Sequence, residues 1–416
     1  METALNGVRV LDHTTTLVGP FCTMILADLG AEVIKIQSPT PRGGGESEAL
    51  RPGAPQDVLT YKGQSTIWYS LNRNKRSIIL NLRTDKGREI FYELVKKSDV
   101  SVDNFSGPQV LERLKIDYEI LRKINPRIIC ASANNYGATG PYRNRAGMDT
   151  VACATAGLMT IIGEPGIATF PLRAGFNMAD LVGGMFAAHG VIAALYEREG
   201  TGVGQMVDVS MADSTVSILS REMSLWLNKG FLVGKSGSGQ IWGTPNQVFK
   251  AKDGYVAVAG VNHFEDFCKV IGREDLVTDP KFADKGERWV NKEELQDIIK
   301  EVFPSRTVDE WLELLQKAGI PCSKVNEISE GAEHPQILSR DMVVEVDDGF
   351  GDKVKIVGNP IKMSATPEEE AKRFFVACPP GKHTDEVLSE VLGYSKEQID
   401  KLVEEEVVKR MGEIPG

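Results

Sequence analysis

Two stretches of this sequence hold residues whose types and spacing could do chemistry. The first runs from Tyr136 to Gly184, YGATGPYRNRAGMDTVACATAGLMTIIGEPGIATFPLRAGFNMADLVGG. It strings together a glycine-proline turn, the isolated acid Asp149, a small-residue helix, a second glycine turn at Gly163-Glu164-Pro165-Gly166 and a long apolar helix opening near Asn177. Small residues (Ala152, Ala154, Ala156, Gly157) let backbones approach closely, and glycine turns leave amide N–H groups free to face a ligand. The pattern predicts a pocket; a tightly packed helix pair with functionless loops fits the same composition.

The second stretch, Asn72-Arg73-Asn74-Lys75-Arg76, packs three cations and two amides immediately before an apolar strand expected over Ile78 to Leu82. Such a cluster can hold phosphates through charge-assisted hydrogen bonds, and its bland counterpart is a solvated basic turn. Two amide-aromatic pairs, Asn104-Phe105 and Asn135-Tyr136, fall just past the C-terminal ends of expected strands, where open α/β sheets take their ligands. An aromatic ring beside an amide suits adenine; ordinary loop anchoring is the alternative.

The elements that must position these residues alternate regularly. Strand Val8–Leu11, helix Phe21–Leu29 and strand Glu32–Ile36 make a βαβ start, and its first turn lacks the G-x-G-x-x-G of a dinucleotide fold. Helix Thr84–Lys97, strand Val100–Val102, helical turns over Pro108–Leu114 and Asp117–Ile124, and strand Ile128–Ser132 continue the alternation, which predicts a mostly parallel sheet. A strand over Gln205–Val209 and a helix from about Ala212 to Leu227 close the first domain. A flexible loop at 235–240 opens a strand-rich segment with helical patterns over 263–272 and 293–317. Short strands and two helices complete the chain. The expected domains are 1–225 with 340–416, and 226–339.

With 416 residues and 42% hydrophobic content the chain suffices for two or three domains. A net charge of −10 disfavours nucleic acid or an anionic membrane as partner, and a polyanionic ligand would need a local basic cluster. Six cysteines (Cys22, Cys130, Cys153, Cys268, Cys322, Cys378) without a C-x-x-C pair read as reduced thiols of a cytoplasmic protein, and five scattered histidines suggest no metal site. The N-terminus has no signal-peptide pattern, and the apolar run Met178 to Tyr196, interrupted by Asp180 and His189, reads as a buried helix rather than a membrane span.

Motifs spread over nearly the whole chain resemble family III CoA-transferases, the group holding formyl-CoA, carnitine and benzylsuccinate CoA-transferases together with alpha-methylacyl-CoA racemases. They are LNGVRVLD at 5–12, LADLGAEVIKI at 26–36, NRNKRSI at 72–78, VDNFSGPQVLERL at 102–114, NPRII at 125–129, YGATGPY at 136–142 and HTDEVLSEVLG at 383–393. The resemblance implies an α/β fold with a split Rossmann-like large domain, a smaller α+β domain and an interlocked, ring-like dimer. It implies coenzyme A or an acyl-CoA as substrate, with a carboxylic acid as co-substrate and no tightly bound cofactor. The CoA-binding positions it points to are Asn72, Asn74, Lys75, Arg76, Asn104, Phe105, Arg113, Asn135, Tyr136 and Gly137. The loop Gly237-Ser238-Gly239-Gln240 matches glycine loops that act as lids over the thioester, and Gly137 and this loop are candidate oxyanion donors.

The departures from the family pattern concentrate on function. An aspartate in the glycine turn, typically G-E-P-D, is the family's nucleophile, but Gly166, Ile167 and Ala168 carry no carboxylate, and Glu164 is the only acid between Gly163 and Asp180. Leu17, Gln37 and Ser38 replace a glutamine, a glutamate and an arginine. The sequence thus predicts a non-catalytic subunit paired with an active paralogue, serving transfer such as succinyl-CoA to an aryl- or alkyl-succinate. The alternatives are a self-sufficient transferase, as a homodimer, using Glu164 or another carboxylate, and a racemase-type isomerase. The last is disfavoured by Met148-Asp149, where a His-Asp pair is usual.

Overall fold

The structure is a computed structural model that describes residues 3–39, 60–61, 64–165, 170–240, 243–260, 262–347, 352–366 and 379–411. It divides into two units: Met1–Leu158 with Ala174–Asn228 and Leu338–Gly416, and Met159–Arg173 with Lys229–Ile337.

The first unit is built on a seven-stranded sheet of the described residues. In chain order the strands of this unit begin with β1 (Arg9–Asp12), β2 (Glu32–Gln37), the short hairpin β3 (Thr60–Tyr61) and β4 (Gln64–Ser65), β5 (Lys75–Leu80), β6 (Val100–Asp103), β7 (Ile129–Asn134) and β8 (Met206–Ser210). The sheet order is β14-β5-β2-β1-β6-β7-β8, where β14 is Val408–Lys409, and every pairing is parallel except β14 with β5. Apart from β14 this is the doubly wound order, which reverses direction between β1 and β6 and opens a crevice at their carboxyl ends.

Local sequence explains the boundaries. Helix Val18–Asp28 begins earlier than expected because Pro20 falls in its first turn, where a missing N–H costs nothing. Helix Met178–Thr201 ends at Gly202, whose φ of 72° is left-handed. The two helices pack closely through glycine: a Cβ on Gly184 would stand 2.7 Å from the Val18 carbonyl oxygen. Met178–Thr201 is long and apolar enough to cross a membrane by length and composition, yet Asp180 and Arg198 are buried along it with Ala187, Ala188 and Val191. The sheet core gathers Leu11, Ile34, Ile78, Phe91 and Leu94 with Val387 and Leu388 of the closing helix Thr384–Leu392.

The second unit carries a three-stranded antiparallel sheet, β9 (Asn246–Lys250), β10 (Tyr255–Ala259) and β11 (Cys322–Lys324), over a core in which Phe303 stacks on Phe249 and Trp311. The helical pattern over 293–317 splits into Lys292–Val302 and Val308–Lys317, because Pro304 breaks it and Thr307 with Glu310 forms a capping box for the second helix. The hairpin β12 (Val343–Asp347) and β13 (Lys353–Val357) returns to the first unit and packs Val346 and Ile356 on Trp68 and Tyr69.

Residues 159–173, expected in the large domain, belong to the second unit. The Leu172 N–H donates to Met159 O at 3.1 Å, the Gly237 N–H to Gly163 O at 3.0 Å, and Lys235 Nζ to Phe170 O at 2.7 Å. The glycine turn is thereby laced to the 235–239 loop.

Candidate active site

At the carboxyl end of β1, beside the reversal of the sheet, Asp12 is fully buried between two lysines. Lys35 Nζ lies 3.3 Å from Asp12 Oδ1 and Lys75 Nζ 3.0 Å from Asp12 Oδ2, and the hydroxyls of Thr14 and Thr23 each donate to the carboxylate at 2.6 Å. Burial alone would raise the Asp12 pKa, but the two ammonium groups and two hydroxyls outweigh it and hold the carboxyl well below the usual range. Lys35 also donates to Thr14 O at 2.6 Å and Lys75 to Pro20 O at 3.0 Å. Charges beneath the β1 turn thus fasten it at both ends, where a dinucleotide fold would use glycines.

This cluster corrects the reading of Asn72 to Arg76. Lys75 and Arg76 are inside β5, not ahead of it, because the buried Asp12 carboxylate accommodates the Lys75 ammonium on the core side of the sheet. Asn72 Oδ1 accepts from Lys75 Nζ at 3.0 Å, Arg73 clasps Asp28 at 2.6 Å with Asn74 bonding the same carboxylate, and Arg76 pairs with Glu32, Glu386 and Glu390. The segment is not a solvated turn: among the described residues each of its side chains has a partner within the unit.

The carboxyl ends of β6 and β7 carry the amide-aromatic pairs. Asn104 Oδ1 accepts from the Thr15 N–H at 2.8 Å while its Nδ2 donates to Thr15 O at 2.6 Å, joining the β6 turn to the β1 turn across the reversal. Phe105 lies 5.8 Å from the His13 ring. Asp103, buried at the strand end, accepts from the Phe105 N–H and Ser132 Oγ, and burial pushes its carboxyl up to about 7 despite those bonds. Burial likewise lowers His13 to about 4.

Asn134 Oδ1 accepts from the backbone N–H groups of Tyr136 and Gly137, so the Gly137 amide is engaged and is not an oxyanion donor in this arrangement. Asn135 is buried with neither its Oδ1 nor its Nδ2 bonded among the described residues. Tyr136 meets Tyr142 edge to face at 5.4 Å, and Arg113 is exposed at the end of helix Pro108–Leu114.

In the second unit the structure brings Glu164 to the glycine loop. A Cβ on residue 237 would stand 2.4 Å from Glu164 Oε2, so the carboxylate lies directly against this residue, and the φ of 60° at Gly237 favours glycine there. The loop's own amides are partly used: Gly239 N–H donates to Ser236 O and Gln240 N–H to Asn246 O, while Ser238 forms the tip. Gly166, the position at which the resemblance implies a nucleophile, lies outside the described residues.

Asp12, Lys35, Thr23 and Asp103 escaped the sequence reading. Their signal was a polar residue inside or ending an apolar strand, as in EVIKIQ and VRVLD, which marks a buried charge needing a partner.

The model of the family described as CoA-transferase family III matches residues 5–384. The chain is 37% identical over 363 residues to the acetyl-CoA:oxalate CoA-transferase of Acetobacter aceti, covering 86% of this chain and 89% of that protein. It is 36% identical over 415 residues to the succinyl-CoA:glutarate CoA-transferase of Homo sapiens, covering 97% and 90%. Among solved structures, a CAIB/BAIF family protein from Brucella suis superposes with a TM-score of 0.79 at 29% identity, over 94% of this chain and 100% of that one.

Proposed function

The chain belongs to CoA-transferase family III, whose members move CoA between carboxylic acids, and we propose that in this chain Glu164 is the carboxylate through which the CoA passes. One observation carries the reading: the only acid of the glycine turn has its carboxylate against Gly237, the first glycine of the 237–240 loop.

The reaction needs no ATP because the thioester energy is kept in covalent form. A Glu164 oxygen attacks the acyl-CoA carbonyl, the C–S bond breaks, and the CoA thiolate leaves behind a mixed anhydride. The thiolate then attacks the Glu164 acyl carbon, giving glutamyl-CoA and releasing the donor acid. The acceptor carboxylate attacks that thioester, the thiolate leaves once more, and its attack on the acceptor carbonyl yields the new acyl-CoA and restores Glu164.

The first unit holds the CoA along the carboxyl ends of β6 and β7, through Asn104, Phe105 and Tyr136. Lys75, Asn72 and their carboxylate partners act from beneath, as the support of that edge. The relatives' names carry oxalate and glutarate, which favours a dicarboxylic acid as acceptor. Exposed Tyr196, Trp226 and Leu227 on the first unit suit pairing with a second copy of the chain.

A specific observation also favours the silent-subunit reading: Pro165 restricts Glu164 to extended backbone, two residues before the family's aspartate position. Trapping separates the two. The chain is incubated alone with acyl-CoA, then treated with hydroxylamine or borohydride, and its peptides are mapped. Label on the peptide containing Glu164, lost with turnover in Glu164→Gln, is the expected result. Turnover without that label overturns Glu164 as the carrier; turnover only after mixing with a paralogue, with label on the paralogue, makes this chain the silent partner.

A further inference from the structure

The motif HTDEVLSEVLG at 383–393 takes no part in the transfer chemistry, and its first residue holds the end of the chain to the central sheet. β5 has β2 on one side and the C-terminal segment on the other. There β14 pairs with Leu80 and Ile79, and the Asn81 N–H donates to Val407 O at 2.8 Å. Two residues upstream, the 381–384 turn takes over from this short ladder. The His383 N–H donates to Ser77 O at 2.9 Å, and His383 Nδ1 accepts from the Ser77 N–H at 3.0 Å, so a single histidine supplies both halves of a strand pairing. Thr384 Oγ1 accepts from the Ile79 N–H at 3.3 Å and donates to Lys409 O at 2.8 Å. The Gly381 N–H donates to Ser77 Oγ at 3.2 Å, and Ser77 Oγ donates to Gln37 Oε1 at 2.8 Å.

The bond to Nδ1 fixes the state of the ring. A backbone N–H can only donate, so Nδ1 keeps its lone pair and the ring proton sits on Nε2. An imidazolium carries donors on both nitrogens and would set one N–H against another at this contact. Partial burial also disfavours the cation, ahead of the opposing pull of Glu386, and Arg76 and Lys382 add to the burial effect, so the ring titrates below its ordinary 6.5. The charges of the elements packed around it are paired: Arg76 of β5 with Glu32 of β2, Glu386 and Glu390, and Arg410 beyond β14 with Asp385 and Asp400. β14 adds Lys409, and helix Asp85–Lys96 adds Glu89 and Glu93 beside Tyr394.

We propose that the segment from Gly381 to Arg410 is a proton-released strap: protonation of His383 at Nδ1 turns the acceptor of the Ser77 N–H into a donor, detaches the strap and leaves β5 as an open sheet edge. The detached ring takes the proton more readily than the attached one. Attachment is therefore complete above pH 6.5 and weakens below it, the opening equilibrium rising by up to about tenfold per pH unit.

The test follows hydrogen exchange in the full-length chain, corrected for intrinsic rates, from about pH 7.5 to about pH 5.5, above the ordinary carboxylate range. The parent is compared with His383→Gln, whose side-chain oxygen accepts from the Ser77 N–H at any pH. In the parent, protection of peptides covering 77–80 and 384–392 is expected to fall by about tenfold over the last pH unit while β10 stays protected. In His383→Gln all three should hold. A fall in the parent no greater than in the variant would overturn the proposal. Imidazole nitrogen shifts of the 15N-histidine-labelled parent give a second reading that needs the variant neither folded nor strapped. An Nδ1 without a proton at about pH 7.5, gaining one as strap protection is lost, is the expected result. A proton on Nδ1 at the upper pH would overturn the proposal.

Discussion

Lys75 Nζ and Asp12 Oδ2 lie 3.0 Å apart with both side chains buried, and the carboxylate that receives Lys75 also receives Lys35. Two strands and the turn after β1 therefore depend on one acid. Breaking a buried ion pair from one side leaves a charge without full compensation, at a cost of about 3–5 kcal/mol. Lys75→Met should lower unfolding stability by about 3 kcal/mol, the low end because Lys35 remains, whereas Lys86→Ala, which breaks the exposed pair with Glu405, should cost no more than about 1 kcal/mol. Urea denaturation gives both numbers. A Lys75→Met cost no larger than that of Lys86→Ala would refute the fastening role of the cluster.

A methyl group on residue 237 would sit 2.4 Å from Glu164 Oε2, and the residue would have to adopt the φ of 60° that Gly237 holds. Gly237→Ala should therefore displace the carboxylate or the loop by about 1 Å, and misplacement of that size costs on the order of a hundredfold in rate. The expected outcome is a kcat lower by about that factor, with an unchanged circular dichroism spectrum. An unaffected kcat would separate the loop from the chemistry.

The reciprocal bonds between Asn104 and the Thr15 backbone tie the two turns at the sheet's reversal. Asn104→Ala loses both, worth about 1–3 kcal/mol together, so KM for acyl-CoA should rise by about ten- to a hundredfold while kcat holds. Steady-state kinetics decides the matter; a fall in kcat with constant KM would contradict a binding role.

Asp103 and His13 pull the pH dependence of stability in opposite directions. Asp103 titrates near pH 7 when folded against 3.8 ordinarily, so between these values the native chain keeps a proton that the unfolded chain has lost, and stability falls as pH rises through the window. His13 titrates near pH 4 when folded against 6.5 ordinarily, so there the unfolded chain holds the extra proton and stability climbs from pH 4 to 6.5. Asp103→Asn should remove the falling contribution and make the melting temperature rise more steeply with pH over that range than in the parent. His13→Gln should do the reverse. Parallel profiles for all three proteins would mean that neither group titrates as its burial dictates.

The sequence alone determined the order of strands and helices and the family. Apolar runs separated by helical periods force a parallel sheet, and helix ends such as Gly202 and the break at Pro304 are set by residues on the spot. What it left open concerned partners distant along the chain. Segment 72–76 reads as basic from its own composition, and only the fold brings Asp12, 63 positions away, beneath Lys75. Thr15 and Asn104, 89 positions apart, become neighbours because β1 and β6 are adjacent where the sheet reverses. Residues 159–173 sit in sequence between elements of the first unit, yet their bonds to the 235–239 loop assign them to the second. That lacing set Glu164 against Gly237 and turned an acid that looked misplaced in the sequence into the candidate carrier. Charge pairing and close approach act across space, so local composition can supply the groups but cannot choose their partners.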